Sequence, residues 1–75
     1  MNVDEMQNRL ETAMETLAAI NPGELFREYL TIVMEAMKIY KEYQKAENQE
    51  EMLKRGEQLI DYINFETEHG TLMGL

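Results

Sequence analysis

A chain of 75 residues without cysteine allows one domain and excludes disulfides and thiolate metal sites. Its net charge of −8 disfavours direct nucleic-acid binding, because phosphate contacts need clustered lysine and arginine. No apolar run approaches the ~20 residues of a membrane-spanning helix, and the acidic start is unlike a secretion signal, so we expect a cytoplasmic protein that binds no membrane.

The first predicted helix runs from residue 3 to about residue 19. Asn2 is its expected cap, because Glu5 follows at the spacing of a capping box. Its apolar residues recur in steps of three and four, which predicts one narrow stripe that fits a groove between neighbouring helices. The stripe consists of Val3, Met6, Leu10, Ala13, Leu17 and Ile20. The polar residues of this helix, Arg9 among them, are expected to face water.

A second helix is predicted over residues 23–46, after an Asn-Pro-Gly sequence at residues 21–23. Proline suits the first helical position, so Asn21 is the expected cap and Glu24 its capping-box partner. The connection between the first two helices is short, which predicts that they form an antiparallel hairpin.

The second helix carries two apolar rows side by side, and we expect the chain to be organised around it. Together the rows cover about 200° of its surface, against the ~100° of a simple surface helix. One row comprises Leu25, Tyr29, Ile32, Ala36, Ile39, Tyr43 and Ala46, and the other comprises Phe26, Leu30, Val33, Met37 and Tyr40. Two neighbouring helices could cover both rows. Because a short chain without disulfide or metal gains most from doubling its core, the second row predicts a homodimer surface.

A third helix is predicted over residues 49–66, after a turn near residues 47–49. Asn48 and Glu51 have capping-box spacing, which favours the turn. One continuous helix is the alternative, since the local residues are good helix formers. Gly56 lies inside the apolar face and indicates close approach of another helix. Gly70 is the expected C-terminal cap of this helix, and an apolar tail over residues 71–75 follows it.

No group of residues in the sequence predicts catalysis, a cofactor or a metal site. Serine and cysteine are absent, and His69 is the only histidine, which leaves no nucleophile with a base beside it. Residues 66–69 have the Glu-x-x-His spacing of helical carboxylate iron sites, but no inward-facing carboxylates accompany them. We therefore expect a protein that is not an enzyme.

The sequence thus predicts an all-α, three-helix bundle-like fold that pairs into a homodimeric helical bundle. The predicted function is a non-catalytic protein-interaction module, an adaptor or regulator that also contacts another protein whose identity the sequence does not give. Small acidic helical proteins of this length are frequent in bacteria and phages, so we expect such an origin. The candidate apolar contacts for the other protein are Tyr62, Phe65 and Leu72, unless the tail folds back and covers the aromatic side chains.

An acidic strip on the third helix supports an alternative function. Carboxylates can stand in place of the phosphates of DNA, so the protein would block a basic site on a nucleic-acid-handling enzyme. Glu50, Glu51 and Glu57 are the candidate residues, flanked by Glu47 and Asp61. The simpler interpretation is a solvated face that keeps the protein soluble.

Overall fold

The computed structural model describes residues 2–73, which form three α-helices and no strand. The helices are α1 (Val3–Ala18), α2 (Phe26–Gln44) and α3 (Gln49–Glu68), and a 3-10 turn (Gly23–Leu25) leads into α2. The predicted all-α fold is confirmed. A turn separates α2 from α3, so the alternative of one continuous helix is wrong.

Asparagine side chains cap the starts of α1 and α3. The backbone N–H of Glu5 donates to Asn2 Oδ1 at 2.8 Å, and that of Glu51 donates to Asn48 Oδ1 at 2.8 Å. Each cap satisfies a donor that has no partner inside the helix. The carboxylate of Glu51 accepts a bond of 3.3 Å from the N–H of Glu47 and so holds the turn before α3.

The prediction that Asn21 caps the second helix is wrong. Gly23 has a φ of +54°, in the left-handed region, so a right-handed α-helix cannot include it. The chain instead makes a 3-10 turn in which the N–H of Leu25 donates to the Pro22 carbonyl at 2.9 Å. α2 therefore begins at Phe26, three residues later than expected, without a side-chain cap.

The three helices run up, down and up, with α3 in the middle. The Tyr29 hydroxyl donates to the Leu17 carbonyl at 2.8 Å and the Tyr43 hydroxyl donates to Gln7 Oε1 at 3.2 Å, so α1 and α2 are antiparallel. Their backbones nevertheless lie further from each other than either lies from α3, which packs closely against both. The expectation that the second helix is central is therefore wrong, because α3 occupies that place.

The core takes one stripe from each helix and one residue from the tail. Leu59 and Ile63 of α3 are completely buried between the other two helices. The full set of buried hydrophobic residues is Met6, Leu10, Ala13, Leu17, Ile32, Ala36, Ile39, Tyr43, Leu59, Ile60, Ile63 and Leu72. No buried polar or charged side chain occurs within residues 2–73, and the hydroxyl of the core residue Tyr43 is bonded to Gln7, so apolar contacts dominate this core.

Gly56 permits the close approach of α1 to α3. A Cβ atom at this position would lie 2.5 Å from Met6 Sδ and 2.9 Å from Met6 Cγ. Met6 is only 1% exposed, so its side chain has little room to move away.

We expect Gly56→Ala to lower the free energy of unfolding, measured by urea denaturation. Alanine gains about 1 kcal/mol of helix propensity, but overpacking against Met6 costs about 1–3 kcal/mol. In a Met6→Ala background the space is open, so the same change should instead stabilise the protein. Equal stabilisation in both backgrounds would show that the contact with Met6 does not limit residue 56.

Candidate interaction surface

The two apolar rows of α2 are divided between the core and the surface. Ile32, Ala36, Ile39 and Tyr43 from the first row are buried. We call the second row the α2 row, and its members are Phe26, Leu30, Val33, Met37 and Tyr40. Its residues remain accessible: Phe26 is 56% exposed, Leu30 42% and Met37 46%, while Val33 and Tyr40 are half-buried against the core. Met34, 70% exposed, extends the apolar surface on the side away from the core.

A shallow groove between α1 and α2 adjoins the α2 row. It forms because the two helices are separated widely enough for side chains to bridge them. The groove is lined by Gln7, Leu10, Glu11, Met14, Glu15 and Tyr40. The Tyr40 ring stacks on the Tyr43 ring with centroids 5.9 Å apart, and so joins the α2 row to the groove. The apolar surface thus continues from α2 onto α1.

Two tyrosines next to the core hold their phenolic protons more tightly than usual. Burial, and then the nearby Tyr40, raise the pKa of Tyr43 above its ordinary value of 10.0. Burial also raises the pKa of Tyr62, and the carboxylates of Glu66 and Glu35 raise it further. Loss of either proton would place a charge against the apolar core.

The acidic strip of α3 is partly neutralised by arginine. Glu57 makes a two-bond ion pair with Arg9 of α1, with Nη1–Oε2 at 2.8 Å and Nη2–Oε1 at 3.1 Å. Hydrogen bonding to Glu57 raises the pKa of Arg9. Arg9 is half-buried in this pair, so the expectation that it faces water is wrong. Glu51 forms an ion pair with Arg55, which also reaches Glu42 of α2 at 3.1 Å. Two of the three candidate carboxylates are therefore engaged inside the molecule, whereas Glu50 is exposed.

The candidate apolar contacts near the C-terminus lie in different environments. Phe65 is 56% exposed, with its ring 6.5 Å from that of His69, and Tyr62 is half-buried. Leu72 is completely buried, so it is a core residue and offers no surface to a partner. Met73 is exposed, and the prediction for the tail at residues 74–75 lies outside the described residues.

The tail reverses direction where it leaves α3. The N–H of Leu72 donates to the Glu66 carbonyl at 3.0 Å, which returns the chain to the bundle. Gly70 allows this reversal because it has no Cβ atom. A Cβ at this position would lie only 2.9 Å from Glu66 Cα. Its φ is not positive, so Gly70 acts by close packing and not as the left-handed cap that its position suggested.

Neither a metal cluster nor a membrane-spanning segment occurs within the part of the chain that the structure describes. No three histidine, aspartate or glutamate side chains there are grouped to hold an ion, and the carboxylate paired with His69 is Glu68 at 4.0 Å. No helix among residues 2–73 is both long and apolar enough to cross a membrane.

No protein-family model, curated protein or solved structure matches this chain. The significance of the α2 row therefore depends on the geometry of the chain itself.

Leu72→Ala should lower the free energy of unfolding by about 2–5 kcal/mol, because it opens a cavity in the core. Met73→Ala is the matched control, since Met73 is exposed and its truncation should change stability by about 0.5 kcal/mol or less. Thermal or urea denaturation measures both. Similar small effects would mean that the tail does not contribute Leu72 to the core in solution.

The protein should lose stability as the pH rises above 10. The pKa values of Tyr43 and Tyr62 are raised in the folded state, so the folded chain binds these protons more tightly than the unfolded chain does. The contribution of these two tyrosines to the free energy of unfolding is fully present below their unfolded pKa, and it is lost as the folded groups ionise. Urea denaturation at a series of alkaline pH values checks this, and Tyr62→Phe should make the fall less steep. An equally steep fall in that variant would contradict the assignment to Tyr62.

Proposed function

We propose that the protein is a non-catalytic interaction module that self-associates through the α2 row. The observation that carries the proposal is the exposure of Phe26, Leu30 and Met37 along one face of one helix. Monomeric proteins rarely expose contiguous apolar patches larger than a few hundred Å². Covering this row with a second copy would stabilise the complex by roughly 25 cal/mol for each Å² of apolar surface buried.

The chain is elongated and exposes a large surface for its mass. Its accessible area is 5205 Å², whereas a folded monomer of 8.8 kDa exposes about 4,800 Å². The elongated shape, with extents of 40 × 18 × 17 Å, accounts for this large surface. Because the chain has no disulfide, association is a means by which it could enlarge its apolar core.

The alternative of an acidic inhibitor has weaker support. A phosphate mimic needs free carboxylates, and Glu51 and Glu57 already have arginine partners. A regulator or adaptor would instead use the α2 row for assembly and leave Phe65 and Glu50, both exposed, for another protein.

The proposal retains the cytoplasmic location predicted from the sequence, which cell fractionation tests.

Light scattering coupled to size exclusion should give twice the chain mass of 8.8 kDa at micromolar concentration, falling toward one chain mass on dilution. Leu30→Glu and Met37→Glu should each shift the protein to the monomer, because a buried unpaired carboxylate opposes association. Both residues are exposed in the monomer, so circular dichroism should show unchanged helix content.

Thr31→Glu is the matched control. It adds the same charge to the same helix at an exposed position outside the α2 row, and we expect it to leave the dimer intact. A single chain mass at all concentrations would refute self-association. A dimer that tolerates both Leu30→Glu and Met37→Glu would show that a different surface is used.

A further inference from the structure

The charged residues of α2 are segregated on two sides of the helix. Glu42 contacts Arg55 of α3, and Glu35 lies close enough to Tyr62 of α3 to raise its pKa, so the acidic side of α2 adjoins α3. The basic residues lie on the far side, beyond the α2 row. We call this group the basic edge, and it consists of Arg27, Lys38 and Lys41 of α2 together with Lys45, the residue that follows the helix.

The opposite margin of the α2 row carries negative charge. There Tyr40 meets α1 across the groove, and Glu11 and Glu15 line the α1 side of that groove. Asp4 lies seven residues before Glu11, which places it on the same side of α1. We call Asp4, Glu11 and Glu15 the acidic edge, and all three are exposed. The apolar surface is thus a strip with an acidic edge along one side and a basic edge along the other.

Symmetry allows this strip to meet a second copy of itself in two simple ways. A twofold axis that runs across the helices makes the α2 helices antiparallel, and it places the acidic edge on the acidic edge and the basic edge on the basic edge. A twofold axis that runs along the helices makes them parallel, and it places the acidic edge of each copy against the basic edge of the other. Only the second arrangement joins opposite charges.

We propose that the protein pairs with its two α2 helices parallel, so that the acidic edge of each copy contacts the basic edge of the other. This inference rests on the self-association proposed above and assigns its orientation. Exposed ion pairs each stabilise a complex weakly. Both orientations pair the same apolar strip with itself, however, so the change from repulsion to attraction along both margins favours one of them.

The positions of the charges along the bundle agree with this pairing. Tyr43 contacts Gln7 and Tyr29 contacts Leu17, so the middle of α1 is level with the middle of α2. Glu11 is therefore level with Lys38, and a parallel partner presents its own Lys38 at that level. Both margins of the dimer would carry this match, because the twofold axis repeats it.

Disulfide cross-linking distinguishes the two orientations, since the chain has no cysteine of its own. In a parallel pair each residue of the α2 row faces its own symmetry mate, and so does Gln44, which continues the row one turn beyond Tyr40. Leu30→Cys and Gln44→Cys should therefore each give disulfide-linked dimers under mild oxidation. An antiparallel register can bring one of these positions onto its mate but not both, because 14 residues of helix separate them by about 21 Å. Thr31→Cys, which lies off the row, is the control and should not link.

Charge reversal provides an independent measurement. Glu11→Lys with Glu15→Lys should raise the dimer Kd about tenfold, and Lys38→Glu with Lys41→Glu should do the same. Combining all four changes should restore the Kd to within about threefold of the original value, because the opposite charges are exchanged between the edges. In an antiparallel pair the four changes leave like charges facing each other, so no rescue by exchange occurs.

The outcomes separate this inference from the function on which it rests. Linking at both Leu30→Cys and Gln44→Cys, with rescue in the charge-reversed protein, establishes the parallel pair. A dimer that links at neither position, or at only one, overturns the orientation but leaves self-association standing. A protein that remains monomeric in light scattering at every concentration overturns both.

Discussion

The close contact between Met6 and Gly56 brings α1 against α3, the helix in the middle of the bundle. Because residue 56 has no side chain, α1 approaches the backbone of α3 closely, and Met6 fills the space that a Cβ would take. α3 can then pack against both other helices and bury Leu59 and Ile63 between them. α2 packs against α3 on one side, whereas a groove separates it from α1 and only side chains span that groove. One of its two apolar rows therefore remains at the surface.

Local features of the fold were predictable from the sequence, but the choice of the central helix was not. The caps at Asn2 and Asn48 depend on residues three positions apart, so their spacing is visible in the chain. The failed cap at Asn21 depends on the backbone of Gly23, whose left-handed φ the Pro-Gly pair at residues 22–23 could have indicated. The wide apolar arc favoured α2 as the centre, yet width measures how much surface needs cover and not which neighbour supplies it.

In the candidate interaction surface, too, the local pattern was predictable from the sequence and the long-range contacts were not. Periodicity separated the two rows of α2, but both rows have the same spacing, and either one could have faced the core. The small side chain of Ala36, in the buried row, suits the close packing of α2 on α3. The ion pair of Arg9 with Glu57 joins residues 48 positions apart, and the burial of Leu72 requires a reversal of the chain after α3. Neither long-range contact leaves a mark in the local pattern, so the acidic strip looked freer and the tail more exposed than they are.

The uneven charge of the chain links the fold to its assembly. A net charge of −8 makes two copies repel each other, and the repulsion is least where their most nearly neutral surfaces meet. Residues 21–46 carry four acids and four bases, and Glu42 of α2 lies toward α3, where Arg55 of that helix binds it. The ion pair that joins α2 to α3 thus uses an arginine of α3, and the four residues of the basic edge remain exposed. The α2 row is in consequence the apolar surface of the molecule that lies next to positive charge. A second acidic copy is repelled least at that surface. The packing of α2 on α3 that stabilises the monomer therefore also leaves exposed the surface on which two copies can pair.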